Sequence, residues 1–219
     1  IRNLSGMWKL LFKDKYVRYF DAPQTYDDKI GGKFYVQELR ELIEGLEELG
    51  GKKITEEAIH NSIAVYNENR AAIEDLYAYR SKCPWKALTS EIYLLLFAGM
   101  VLPVEEHTQL LRDYLEAVDK EDRPMRDNCR VVLNGTFCER PPLGLIKSIE
   151  MAGCYIVDDD FMLVTRWLLE DVPTTGDPVQ NLADAFLHHS AETAAKYVDS
   201  YEAKGQFIVE SVKKYAAEG

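Results

Sequence analysis

Two short segments of the 219-residue sequence contain side chains that can take part in catalysis or bind an ion. The first combines an amide, a hydroxyl, a thiol, a carboxylate and a guanidinium group. Its residues are Asn134, Thr136, Cys138, Glu139 and Arg140. The second is a row of three carboxylates, Asp158, Asp159 and Asp160. A thiol at a helix N-terminus has a lowered pKa and can act as a nucleophile or metal ligand. Clustered carboxylates can bind a hard cation or position a proton.

Simpler interpretations compete with each of these functions. Cys138 alone is weak evidence for a reactive thiol, because a small residue also packs well in a loop. One of the three aspartates can cap a following helix while the others contact water, and three adjacent carboxylates do not all face one point. His188 and His189 are neighbours on a helix and point in different directions, whereas zinc sites favour wider spacing. His60 and His107 are interpreted as isolated helix residues.

The residues around the two segments predict a βαβ unit. The β-branched run Cys129–Leu133 is typical of a strand, and Pro141 and Pro142 are expected to open a helix that Gly153 closes. A second buried strand is predicted at residues 154–157. Two strands joined by a helical crossover are parallel neighbours, and ligands of such sheets bind outside the carboxyl ends of the strands. Both segments fall at that edge.

Helical patterns dominate the sequence before this unit. Residues 1–22 are predicted to form a helix and then a strand at residues 15–20, whereas residues 33–125 carry only helical signals. Residues 121–127 are charged and contain a proline. Helical periodicity gives way there to a strand pattern, so this stretch is the best candidate for a boundary.

Helical patterns also follow the predicted unit. A helix is predicted at residues 161–170, and a loop follows at residues 173–178, which read PTTGDP. Residues 179–217 are predicted to be helical, with breaks near Ser190 and Gly205. The sequence starts with Ile1 in the middle of a helical pattern, which leads us to expect a segment of a longer polypeptide.

Composition and charge exclude several classes of function. The net charge of −11 argues against nucleic-acid binding, which needs clustered Lys and Arg. The longest apolar run, residues 92–102, is too short to cross a membrane. There is no glycine-rich loop of the kinds that bind nucleotide phosphates. The four cysteines form no Cys-x-x-Cys pair, and free thiols in a reducing cytoplasm are the favoured interpretation. They are Cys83, Cys129, Cys138 and Cys154.

Several motifs in series resemble the 2-hydroxyacyl-CoA dehydratase and benzoyl-CoA reductase family. The resemblance covers essentially the whole sequence and is more specific than any single motif. The motifs lie at residues 1–8 (IRNLSGMW), 17–21 (VRYFD), 53–55 (KIT), 66–70 (YNENR), 99–107 (GMVLPVEEH) and 135–167.

This resemblance implies an α/β fold with two flavodoxin-like parallel-sheet domains, both incomplete in this segment, joined by a helical region. The corresponding division is residues 1–22, 23–126 and 127–219. It also implies an oxygen-sensitive 4Fe–4S cluster at the substrate thioester. The family's cluster cysteines match positions before Ile1 and after Gly219, so no cluster ligand is assigned to this segment, and the segment alone is expected to bind none.

The reaction implied by the resemblance is an ATP-driven, two-electron reduction of the ring of benzoyl-CoA in anaerobic aromatic degradation. The implied partners are a homologous B-type subunit, ATP-hydrolysing activator subunits and ferredoxin. Two alternatives stay open: a 2-hydroxyacyl-CoA dehydratase subunit and a non-catalytic structural subunit. The expected substrate or cluster pocket combines the two strand-end segments with the start of the first helix, at Asn3, Ser5 and Trp8.

Overall fold

The computed structural model of the chain describes residues 2–126, 128–133, 141–159, 168, 170–189 and 201–217, without the side chains of residues 2, 201–204, 206 and 207. The helices are α1 (Arg2–Leu11), α2 (Lys33–Gly50), α3 (Glu56–Lys82), α4 (Thr89–Ala98), α5 (Val104–Lys120), α6 (Leu143–Met151), α7 (Pro178–His189) and α8 (Tyr201–Tyr215). The strands are β1 (Cys129–Leu133) and β2 (Cys154–Asp159). One π-helical turn, Asp28–Gly32, leads directly into α2.

Two compact units divide the chain. The first comprises Ile1–Ile63 and Val172–His189, and the second comprises Ala64–Asp171 and Ser190–Gly219. The chain is therefore rich in α-helix and carries a small parallel sheet in its second unit, which is compatible with an α/β fold. The flavodoxin-like domains, and their division at residues 22 and 126, stay predictions.

Aromatic contacts hold the first unit together where α2, α7 and the π-helical turn meet. The ring of Phe186 packs 4.7 Å from that of Tyr35 and 6.2 Å from that of Tyr26. Helix α7 begins at a proline, which needs no hydrogen-bond donor at that position. The carboxylate of Asp177 accepts the backbone N–H of Val179 at 2.9 Å and so caps this helix.

The core of the second unit lies among α3, α4 and α5. These helices bury one continuous set of apolar side chains, which is the main source of stability in such a packing. The cluster consists of Ala72, Ile73, Leu76, Tyr77, Ala87, Ile92, Leu96, Leu111 and Val118. None of the described helices in either unit is long and apolar enough to cross a membrane.

The predicted βαβ unit is confirmed in the second unit. Strands β1 and β2 are parallel neighbours, paired from Cys129 with Cys154 to Leu133 with Asp159, and α6 connects them. Gly153 turns the chain between α6 and β2 with a φ of 84°, a left-handed conformation that glycine adopts without strain. Two details differ: α6 begins one residue after the prolines, and β2 extends through Asp159 instead of ending at residue 157.

Two other predicted features are wrong. Residues 15–20 form no strand in the structure. A strand needs a neighbour for its backbone groups, and Arg18 instead extends to α2, donating to Glu41 at 2.9 Å and Glu38 at 3.3 Å. Helix α8 continues through Gly205 without a break, since an isolated glycine weakens a helix without ending it. The predicted break near Ser190 and most of the predicted helix at residues 161–170 lie outside the described residues; of that stretch only Leu168 and Glu170 are described, and neither is helical.

The predicted apolar stripe of α1 is present but is not buried. The side chains of Leu4, Met7, Trp8 and Leu11 are each at least half exposed. The helix therefore forms with the predicted phase, while its apolar face stays at least half exposed among the described residues.

Candidate functional site

The candidate site is built around the carboxyl end of β2, where Asp159 is held from two sides. Arg80 Nη1 of α3 lies 2.5 Å from Asp159 Oδ2, and the Tyr77 hydroxyl donates to Oδ1 at 3.0 Å. Arg80 Nη1 also lies 3.4 Å from Thr89 Oγ1, and the Thr89 hydroxyl donates to the Ile156 carbonyl at 3.2 Å. Helix α3 and the start of α4 thus fix the end of the strand.

Arg80 and Asp159 form a buried ion pair. The side chains are 0% and 1% exposed. Burial works against the charge of Arg80, but the attraction of Asp159 outweighs it and raises the pKa of the guanidinium above its ordinary value. The guanidinium also lies over the Tyr77 ring, 4.2 Å from its centroid. With both oxygens of Asp159 accepting hydrogen bonds, the carboxylate positions the strand end.

Asp158 points away from this pair, as expected for neighbours on a strand, which face opposite sides of the sheet. It is also buried, and its Oδ2 accepts a short hydrogen bond from the hydroxyl of Ser211 on α8. The expectation that these aspartates do not converge on one point is confirmed. The alternative in which they contact water is wrong for both, because each is buried against its own partners.

Helix α3 runs towards the start of the strands. Arg130, near the beginning of β1, donates to the carbonyl of Ser81 at 3.3 Å, whereas Tyr77 and Arg80 contact the end of β2. The turns of α3 that precede Tyr77 consequently lie on the carboxyl side of the sheet. That is the side on which ligands bind in open α/β folds.

A second buried polar cluster fixes those earlier turns of α3. Asn69 Nδ2 donates to His107 Nδ1 and to Thr108 Oγ1, each at 2.9 Å. His107 Nε2 then donates to the Leu95 carbonyl at 3.0 Å, so the ring is the neutral Nε2–H tautomer. Burial lowers the pKa of His107, and the bond to Leu95 opposes this shift. The family motifs at residues 66–70 and 99–107 meet in this cluster.

Gly99 allows the His107 ring to lie against the end of α4. A Cβ at Gly99 would lie 2.6 Å from His107 Cε1, closer than real Cβ contacts. The backbone of Gly99 is otherwise ordinary, with a φ of −63°. The glycine is therefore required for the close approach of the ring. His107 serves packing and hydrogen bonding, in line with its interpretation as a helix residue rather than a metal ligand.

Most of the strand-end segments lie outside the described residues. This applies to Asn134, Thr136, Cys138, Glu139, Arg140 and Asp160. Asn3, Ser5 and Trp8 lie on α1 in the first unit, where Asn3 and Trp8 are exposed. The assignment of all these residues to one pocket stays a prediction.

The histidine pair of α7 contacts protein groups. His188 Nε2 lies 2.8 Å from Asp28 Oδ1, and the rings of His188 and His189 are 6.3 Å apart. His60 Nε2 lies 2.9 Å from the Gly176 carbonyl. Within the described parts of the chain, no three His, Cys, Asp or Glu side chains come together in a way that could hold a metal ion.

The described cysteines do not fit an iron–sulfur cluster. Such clusters need several thiolates around one point. Cys129 and Cys154 are register partners at the amino ends of the parallel strands, away from the candidate site, and Cys83 follows α3. All three are free and partly buried. We therefore assign no step of a reaction to a cluster held by these residues.

Sequence reasoning missed the residues that hold the site: Tyr77 as a hydrogen-bond donor, Arg80, Thr89 and Ser211. One signal was present. Arg80 follows Ile73, Leu76 and Tyr77 on the apolar face of α3, and a charged residue in that phase indicates a buried partner. The partner itself lies 79 positions away and could not be identified from periodicity.

Comparison with known proteins identifies the family. The family model described as "2-hydroxyglutaryl-CoA dehydratase, D-component" matches residues 1–219. The chain is 61% identical over its full length to the C subunit of benzoyl-CoA reductase from Thauera aromatica, and covers 57% of that protein. It is 26% identical over 90% of its length to the (R)-phenyllactyl-CoA dehydratase beta subunit of Clostridium sporogenes, covering 52% of it.

A third relative extends the same relationship. The chain is 26% identical over its full length to the beta subunit of (R)-2-hydroxyglutaryl-CoA dehydratase from Acidaminococcus fermentans, of which it covers 58%. The chain thus spans a little over half the length of these relatives. The sequence motifs predicted a resemblance to the C (gamma) subunit of ATP-dependent benzoyl-CoA reductase. The similarity to a C subunit of benzoyl-CoA reductase is confirmed, whereas the dependence on ATP stays a prediction. The chain belongs to the 2-hydroxyglutaryl-CoA dehydratase D-component family.

Proposed function

We propose that this chain is part of a catalytic subunit that reduces the aromatic ring of benzoyl-CoA by two electrons, giving a cyclohexadiene-carbonyl-CoA. The observation that carries this proposal is the 61% identity to the C subunit of a benzoyl-CoA reductase along the entire chain. Identity to the dehydratase subunits is only 26%. The difference favours the reductase within the family.

In this proposal the acyl thioester binds outside the carboxyl ends of β1 and β2. The Arg80–Asp159 pair and its neighbours hold that edge rigid, so the residues that follow the strands start from a fixed position beside the substrate. The proposed pocket includes the residues after Leu133 and Asp159, together with Asn3, Ser5 and Trp8. Protein groups orient the thioester and supply protons.

The proposed electron carrier is a 4Fe–4S cluster in the full-length subunit. Its ligand cysteines lie outside the residues of this chain. The proposed partners are a homologous B-type subunit, activator subunits that hydrolyse ATP, and ferredoxin as the electron donor. We also propose a cytoplasmic location, which suits the free thiols of Cys83, Cys129 and Cys154.

A second candidate is a 2-hydroxyacyl-CoA dehydratase subunit. The family model and two relatives carry dehydratase names, and this is the observation in its favour. Both candidates use the same class of thioester but differ in outcome: one adds electrons to a ring, and the other removes water. A non-catalytic structural subunit would do neither.

Anaerobic assays of the full-length polypeptide with its partner subunits separate these candidates. We expect ATP-dependent conversion of benzoyl-CoA to a cyclohexadiene thioester with reduced ferredoxin as donor. We expect no loss of water from (R)-2-hydroxyacyl-CoA thioesters under the same conditions. Dehydration without ring reduction would select the dehydratase. Unchanged turnover of the partner subunits when this subunit is omitted would select the structural role.

A further inference from the structure

Arg70 on α3 carries a half-buried positive charge that no ion pair neutralises among the described residues. Its Nη2 donates a short hydrogen bond to the side-chain carbonyl of Asn67, while its Nε is buried and finds no hydrogen-bond partner in the described part of the chain. Burial lowers the pKa of Arg70, and the charge of Asp171 opposes this shift from beyond ion-pair distance. The guanidinium thus retains donors for an anion.

Two other arginines of the described residues, one fully and one largely buried, are paired with carboxylates. Arg80 is paired with Asp159, as described above. Arg123, which is 22% exposed, lies 2.8 Å from Glu91. Burying a cation without a partner costs free energy, and an anionic ligand can remove that cost. Arg70 differs from Arg80 and Arg123 in having no carboxylate within ion-pair distance among the described residues, and an anionic ligand would supply the missing counter-charge.

The position of Arg70 on α3 is suited to such a ligand. It precedes Tyr77 by seven residues, which is about 10 Å along a helix and returns to nearly the same face. Tyr77 contacts the last residue of β2, and the turns before it lie on the carboxyl side of the sheet. The contact of Asn69 with His107 holds this part of α3 in place.

We propose that Arg70 binds a phosphate group of the CoA moiety of the substrate; this rests on the proposed function. A guanidinium matches phosphate oxygens with paired hydrogen bonds. About 10 Å of helix separates Arg70 from Tyr77, which contacts the strand end, and the extended pantetheine arm of an acyl-CoA is longer than this. With the thioester at that edge, a bent arm can therefore place a phosphate at Arg70.

The test compares two substrates in the complete enzyme complex. For the Arg70→Gln variant we expect the KM for benzoyl-CoA to rise by about tenfold or more, in line with the loss of a charge-assisted contact, with kcat within about twofold. The KM for S-benzoylpantetheine, which lacks the phosphates, should not change. Arg70→Lys keeps a positive charge and should recover part of the affinity. An equal rise for both substrates, or no rise for either, would overturn the proposal.

Arg112→Gln is the matched control. Arg112 is an exposed arginine of α5 that lies 3.9 Å from Glu68, and its loss makes the same change in charge. For this variant we expect KM to change by the same factor, if at all, for the two substrates.

Equilibrium binding of CoA and of pantetheine distinguishes a failure of the proposed phosphate contact from a failure of the proposed reaction. One outcome is that the wild-type complex fails to reduce benzoyl-CoA while Arg70→Gln still weakens the binding of CoA and leaves the binding of pantetheine unchanged. In that case the phosphate contact stands and the proposed reaction is wrong. CoA binding that is unaffected by Arg70→Gln would overturn the contact.

Discussion

Arg80 and Asp159 are 79 positions apart in the chain, yet the guanidinium and carboxylate lie 2.5 Å apart with almost no exposure to solvent. The pair joins the core helix α3 to the end of β2. It thereby connects the packing of the helices with the edge at which the substrate is proposed to bind.

Removing one member of this pair should destabilise the chain strongly. We expect Arg80→Met to lower the free energy of unfolding by about 3–5 kcal/mol, because it leaves Asp159 buried without its counter-charge. Arg80→Met combined with Asp159→Leu should recover most of that loss, since no unpaired charge is left. Denaturant unfolding of the full-length polypeptide measures both.

Arg112→Met serves as the control for this experiment. Its exposed contact with Glu68 should contribute less than about 1 kcal/mol. A loss at Arg80 as small as that at Arg112 would contradict the buried ion pair.

The stability of the chain should depend on pH through His107. Burial lowers its pKa in the folded state below the value of about 6.5 expected in the unfolded chain. Below that value the unfolded chain binds a proton that the folded chain does not. The contribution to stability is therefore complete above about pH 6.5 and is lost as the pH falls towards the folded pKa, by up to about 1.4 kcal/mol per pH unit.

Urea unfolding at about pH 7.5 and about pH 5.5 measures this dependence. A His107→Gln variant should be less stable at the higher pH. It should also lose the part of the pH dependence of stability that comes from His107. If the variant keeps the full slope of the wild-type chain, another group titrates and the prediction for His107 is wrong.

Replacing Gly99 and Gly205 by alanine should change the stability of the chain in opposite directions. At Gly99 the added Cβ would meet the His107 ring at 2.6 Å, and we expect a loss of about 1–3 kcal/mol from overpacking. At Gly205, within α8, no described atom outside the helix's own backbone lies within 4 Å of an added Cβ, so alanine should stabilise the helix by about 0.5–1 kcal/mol. Thermal unfolding of the two variants checks both signs. A stabilising Gly99→Ala change would contradict the close approach of His107.

One molecule of a reagent that binds two thiols should bridge Cys129 and Cys154. They are paired across β1 and β2, and neighbouring strands lie about 4.8 Å apart. In the full-length polypeptide with Cys83 and Cys138 changed to serine, phenylarsine oxide should bridge Cys129 and Cys154, and peptide mass spectrometry should find one adduct that joins the peptides carrying these two cysteines. Serine at either remaining position should abolish the bridge. Two separate adducts in the parent would show that the strands are not in this register.

The sequence predicted the parts of the fold that depend on local pattern. The helices α2 to α5 and the βαβ unit follow from apolar spacing, caps and turn residues. The absence of a strand at residues 15–20 was not predictable in this way, because a strand depends on a partner that its own sequence does not reveal. A break was predicted at Gly205, although packing and helix length can outweigh one glycine.

The position of the candidate site stays a prediction, and its supporting contacts were not predicted from the sequence. The carboxyl edge of the sheet follows from the topology alone. The pairing of Arg80 with Asp159, and of Asn69 with His107, depends on tertiary contacts between residues far apart in the chain. The polar residues on the apolar face of α3 were the only visible sign of these contacts.

The most direct test of the account is a crystal structure of the complete complex with benzoyl-CoA bound. The account predicts the thioester outside the carboxyl ends of β1 and β2, beside the residues that follow Leu133 and Asp159, with a CoA phosphate at Arg70. Density for the thioester at the opposite end of the strands, beside Cys129 and Cys154, would contradict it.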